Sequence, residues 1–201
     1  MQNTKPASLS LQSTASLAST LNRVVALAPT PLLPGEKEAD YLDVATRVVR
    51  TATPSDAIEE FLVRDVVDLT WDILRLRRLK AGILRASMGV GVERVLAGVG
   101  VSSFERDSLS ENWAAGDESA RNEFDAILTK AGLTIDDVTA TTLASRMDDF
   151  ERIDRMLSSA EARRNNALRE IDHHREALGA AIRGAIDEVT DAEFRDVETG
   201  E

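Results

Sequence analysis

The sequence predicts an all-α protein, a long antiparallel helical hairpin or coiled-coil-like bundle with a small helical cap and disordered termini. Three observations predict it. Two long stretches, residues 54–97 and 135–189, repeat apolar residues at spacings of three and four, the period of a helix face turned toward a partner. Aromatic residues supply only 4% of the chain, which leaves the core to Leu, Ile, Val and Ala packed helix on helix. The connector between the long stretches has room for a helical cap. At 1.5 Å per residue, each long helix would span on the order of 60 Å.

Residues 1–35 are rich in Ser, Thr, Ala and Leu, with Pro6, Pro29, Pro31 and Pro34, and with Lys5 and Arg23 as the only charges. They are expected to form a disordered arm with a transient helix over 17–27. A targeting segment is the alternative, since the arm is acid-free, but it lacks a continuous apolar region. Residues 36–52 read as a first short helix, with Tyr41, Leu42, Ala45, Val48 and Val49 on one face. Thr53-Pro54-Ser55 then breaks it, because the residue before proline avoids the α region. Pro54, Ser55 and Asp56 suit a helix start, with Glu59 and Glu60 in the first turn.

The long helix over 54–97 has the clearest pattern. Leu62, Val66, Leu69, Ile73, Leu76 and Ile83 form a stripe interrupted by Lys80. Val63, Val67 and Leu74 widen it beyond a narrow seam, so more than one partner should cover it. Gly82, Gly89 and Gly91 predict a kink or an early end between 88 and 100. The region 98–134 reads as a connector with a turn of helix near 104–109 and a short helix over 117–131. In that short helix Phe124, Ile127 and Leu128 face inward and Gly132 is the C-cap. Thr134, with Asp137 three residues on, should open the last helix.

That helix, 135–189, carries heptads. One register sets Leu143, Phe150, Leu157, Arg164, Ile171, Leu178 and Ala185 at a, and Ile153, Ala160, Ala167, His174 and Ala181 at d. Small residues at d permit close antiparallel approach, while Arg164 and His174 either fix register or lie solvated where the partner ends. The seam expected to pair helices or copies comprises Leu62, Val66, Leu69, Ile73, Leu76, Phe150, Leu157, Ile171 and Leu178. Residues 190–201 are left as an acidic tail.

Composition narrows function more than motifs do. A net charge of -11 opposes general nucleic-acid binding, which depends on neutralising phosphates. The absence of cysteine removes disulfides and thiolate metal sites. No run approaches the ~20 apolar residues of a membrane span, so a cytoplasmic protein with no membrane partner is expected. Glu170 and His173 match a Glu-x-x-His pair, but a di-iron bundle needs a second such pair and the chain holds only two adjacent histidines. Gly89-Val90-Gly91 begins like a dinucleotide loop without its third glycine or a preceding strand. No catalytic residue, cofactor or metal is therefore assigned.

One basic segment stands out. Between Asp72 and Glu93 there is no acid, and Arg75, Arg78 and Arg85 share one side of the helix while Arg77 lies elsewhere. The functional reading is a patch for phosphate or nucleic acid, restrained by the acidic tail. The favoured reading is charge balance against Asp65, Asp68, Asp72 and the tail, with arginine stems covering apolar surface.

The segment 56–79, DAIEEFLVRDVVDLTWDILRLRRL, and the segment 146–178, containing FERIDRMLSSAEARRNNALREIDHHREAL, resemble a widespread set of uncharacterised bacterial helical proteins. Many of those carry an N-terminal basic segment containing Gly-His-Leu, which is missing here. The resemblance implies a bacterial helical protein and carries over no functional residue. The functional expectation is a non-enzymatic scaffolding or interaction protein that forms a homo-oligomer and binds an unidentified protein partner. A nucleic-acid-associated protein is the alternative.

Overall fold

A computed structural model describes residues 7–198 of the chain, and side-chain surroundings within residues 15–189. The described residues form seven helices and no strand, so the protein is all-α. These are α1 (Ala7–Ala26), α2 (Glu38–Ala52), α3 (Ala57–Gly98), α4 (Ser103–Ala115), α5 (Glu118–Ala131), α6 (Ile135–Ser145) and α7 (Met147–Glu198). They divide into two compact units: residues 1–72 with 160–201, and residues 73–159. Helices α3 and α7 contribute to both.

In the first unit the N-terminal region departs from expectation. The arm read as disordered over 1–35 is helical from Ala7 to Ala26, and its last turns are docked. The physical reason is a stripe of its own. Val24 is fully buried with Val49, Val63, Val66, Ala167 and Ile171, and Leu17 and Leu21 pack against the same cluster. The arm thus covers the width of the α3 stripe that one partner leaves bare. Arg64, almost wholly buried on α3, then secures the exit of α1. Its guanidinium donates to the carbonyls of Val25 at 2.6 Å and Pro29 at 3.0 Å, and to Asp68 at 2.9 Å. Carbonyls at a helix end lack intrahelical donors, and Arg64 supplies them.

The loop that follows is tied to the same face. Glu36 accepts hydrogen bonds from the Trp71 indole at 3.1 Å and from the Leu33 amide at 3.0 Å. Tyr41 and Trp71 meet edge to face at 5.8 Å. The Tyr41 hydroxyl donates to Asp68 at 2.6 Å, and burial first, then that carboxylate, pushes its pKa up. Within this unit α3 and α7 run antiparallel, with Val63 and Val66 against Ala167 and Ile171.

The second unit is the small helical cap. Its core gathers Val92, Val95 and Leu96 of α3 with Leu109, Ala120, Phe124, Leu128 and Val138. Helices α4, α5 and α6 start at caps written in the sequence. The Ser102 side chain accepts from the Glu105 amide, Asp117 from Ala120, and Thr134 forms a capping box with Asp137. Gly116 and Gly132 close α4 and α5 in the left-handed conformation, where glycine carries no Cβ penalty. The connector is therefore almost entirely helical, and α4 replaces the single expected turn.

The helix α3 ends at Gly98, inside the window expected between 88 and 100, and runs unbroken through Gly82, Gly89 and Gly91 to reach it. Gly91 is a packing residue: a Cβ there would collide with the Thr142 hydroxyl and sit 2.8 Å from the Val138 carbonyl. The stretch 135–189, expected as one helix, is two. Arg146, at φ -122° and ψ 20°, ends α6, its side chain donates to Ser87 Oγ at 3.0 Å, and Asp148 and Asp149 open α7. Acids in a first turn favour a helix start. At the other end α7 continues to Glu198, so the boundary placed at 189 and the disordered acidic tail give way to helix as far as the described residues reach.

Candidate interaction surface

The first turn of α3 is where the first unit is fastened. Asp56 caps the helix by accepting from the Glu59 amide at 2.9 Å, and the Glu59 carboxylate reaches back to the Ser55 amide at 2.9 Å. The same acids hold other helices. Glu59, fully buried, takes both arms of Arg175 at 2.8 and 2.9 Å, a forked geometry that makes a strong ion pair. Asp56 meets His174 Nε2 at 2.7 Å, and Glu60 meets Arg23 at 2.7 Å. Arg175 also donates to the Ala52 carbonyl at the end of α2 at 2.7 Å.

These contacts shift the acids. The arginine hydrogen bond holds the Glu59 carboxyl below its ordinary pKa, against the opposing effect of burial. The Glu59 amide first, and His174 second, hold Asp56 low. Glu59 in turn raises Arg175. His174, a polar residue at a heptad core position, lies beside the start of α3, and it is engaged there by Asp56.

The heptads of α7 turn inward as written over part of their length. Phe150 and Ile153 are buried in the second unit, and Ala160, Ala167 and Ile171 in the first. Val66, Leu69 and Ile73 of α3 are buried, while Leu62, Leu76 and Leu157 are half-buried. Leu178 is not covered. It begins a segment that projects past the start of α3. From Arg175 to Val189 every residue is exposed except Gly179, which is half-buried. The segment still carries apolar side chains at helical spacing: Leu178, Ile182 and Val189 are 43%, 52% and 61% exposed, and Ala185 lies between them.

Beside the base of this projection runs an open trough of about 620 Å³ between α2 and α7. Val48, Ala52, Val66, Leu168 and Ile171 make its apolar lining, and Arg47, Asp172 and Arg175 edge it. Leu168 is 44% exposed within it. Neither the trough nor the projection was visible as such in the sequence, because both depend on where α2 and α3 stop. The signal available was the 3-4 spacing that runs on past residue 177.

The basic segment lies on α3 in the second unit. Arg75 is half-buried, Arg78 and Arg85 are exposed, and Arg75, Arg77 and Arg78 all have interactions within the chain. Lys80, the interruption in the stripe, pairs with Asp154 at 2.6 Å and lies 5.5 Å over the Phe150 ring. Among the described residues no three His, Asp or Glu side chains gather as metal ligands, and no helix is long and apolar enough to cross a membrane. Comparison with known families, characterised proteins and solved structures finds no match to this chain, so the bacterial resemblance rests on its two segments alone.

Proposed function

We propose that this chain is a non-catalytic helical scaffold that self-associates and presents α7 as its contact element. The observation that carries the reading is the projecting end of α7, where Leu178, Ile182, Ala185 and Val189 hold a helical apolar stripe in solvent. Exposed apolar surface at helical spacing is unfavourable alone and is stabilised by a partner helix. An isolated helix of this length is marginal in water, and a second helix along the stripe would support it. The polar groups of the first unit support a structural role, because Glu59, Asp56 and Glu60 are each engaged in holding helices together.

Sedimentation velocity of the full chain from about one to tens of micromolar tests the reading. A mass rising from one to two or more copies with concentration is expected. A monomer throughout would overturn it. Running the same series with duplex and single-stranded DNA and RNA examines the nucleic-acid alternative. Salt-sensitive co-sedimentation, reduced by Arg78→Glu and Arg85→Glu, would favour that alternative.

A further inference from the structure

We propose that the projecting end of α7 docks antiparallel onto the trough of a second copy of this chain, so that two copies exchange the same contact about a two-fold axis. The proposal rests on the self-association reading and specifies its partner and direction.

Leu168, Ile171, Arg175, Leu178, Ile182, Ala185 and Val189 follow one another at spacings of three, four, three, four, three and four, a single strip along α7. Leu168, Ile171 and Arg175 line the trough, and the remaining four lie on the projection. One strip therefore holds both a seat and an element to fill it.

A two-fold axis between Glu176 and Ala177 sets Ala185 of one copy against the exposed Leu168 of the other, and brings Ile182 over the trough floor at the level of the buried Ile171. It lays Leu178 along the stem of Arg175. The charge of Arg175 does not oppose this, because its guanidinium is turned onto Glu59. Each apolar layer occurs twice, as an isologous interface requires.

Charge favours the same direction. Arg164 extends the strip at its trough end, four residues before Leu168, and Glu188 adjoins Val189 at its projecting end. Antiparallel docking brings Glu188 within about a turn of Arg164. It also brings Asp172, at the trough edge, within about a turn of Arg183. Parallel docking would bring Glu188 beside its own copy, and like charges in register oppose association.

Cysteine cross-linking of the full chain tests direction directly, because the chain has no cysteine of its own. Leu168 and Ala185 lie seventeen residues apart on one helix, about 26 Å, far beyond disulfide reach within a chain. The double variant Leu168→Cys/Ala185→Cys is expected to give a covalent dimer on mild oxidation, released by reductant. Each single variant should give little. In uncrosslinked chain, Ile182→Glu should weaken the dimer at least tenfold while leaving helical content unchanged. Efficient cross-linking of the single variants would show parallel pairing and overturn the proposal. A dimer by sedimentation whose double variant does not cross-link would also overturn it, leaving self-association standing. A monomer by sedimentation would remove both.

Discussion

The Glu59–Arg175 pair joins the start of α3 to α7 and, through the Ala52 carbonyl, to the end of α2. Its partners differ in surroundings: the Glu59 side chain is 0% exposed and that of Arg175 is 44% exposed. Removing the cation leaves a buried carboxylate beside Asp56, whereas removing the anion leaves an arginine that water can reach. Arg175→Met should therefore cost about 3 kcal/mol at neutral pH, and Glu59→Gln clearly less. The pH dependence has a definite sign. Glu59 is held below the ordinary glutamate value, so its contribution is present above that value and is lost as pH falls through the folded one. The deficit of Arg175→Met should shrink between about pH 7 and about pH 4, on either side of the ordinary pKa. Urea denaturation of wild type and both variants at the two pH values measures this. A deficit that stays constant or grows on acidification would contradict it.

At the scale of single helices, α3 shows how one residue type serves opposite ends. Gly82 has nothing within 4 Å of a built Cβ, while at Gly91 the same atom would meet α6. Gly82→Ala should stabilise the protein by about 0.5–1 kcal/mol, since glycine is costly inside a helix. Gly91→Ala should destabilise it by about 3 kcal/mol, the upper part of the range for overpacking, because a backbone carbonyl must move. Thermal unfolding of both variants decides it, and equal effects would refute the close-packing account. The contrast also shows what the sequence held. Local signals were legible: the Thr134–Asp137 capping box, Gly132 as a C-cap, and the inward set Phe124, Ile127 and Leu128 all appear where spacing put them. Gly91 read as a helix breaker because its purpose depends on Val138 and Thr142, some fifty residues away. The docked arm was missed for the same reason. Its Val24 and the carbonyls satisfied by Arg64 acquire meaning only when α3 lies beside them. The break at Arg146 had a local signal, the paired acids Asp148 and Asp149, which the heptad pattern across it obscured.

For the whole molecule, assembly turns on the part of α7 that outruns its neighbours. The candidate surface was only partly legible, since the stripe can be read to Val189 but the point at which α3 stops covering it cannot. Helices α1 and α2 and the start of α3 bury the α7 face as far as Ile171, and the Asp56 and Glu59 contacts clamp the next turn through His174 and Arg175. Everything beyond that clamp should be dispensable for folding and needed for assembly. The most direct measurement is light scattering coupled to size-exclusion chromatography on the full chain and on a chain ending at Glu176, both at tens of micromolar, with circular dichroism to follow folding. The full chain should elute with the mass of at least two copies. The shortened chain should elute as a monomer with a melting transition still cooperative. A shortened chain that keeps the full chain's oligomeric mass, or a full chain that is monomeric, would contradict the account.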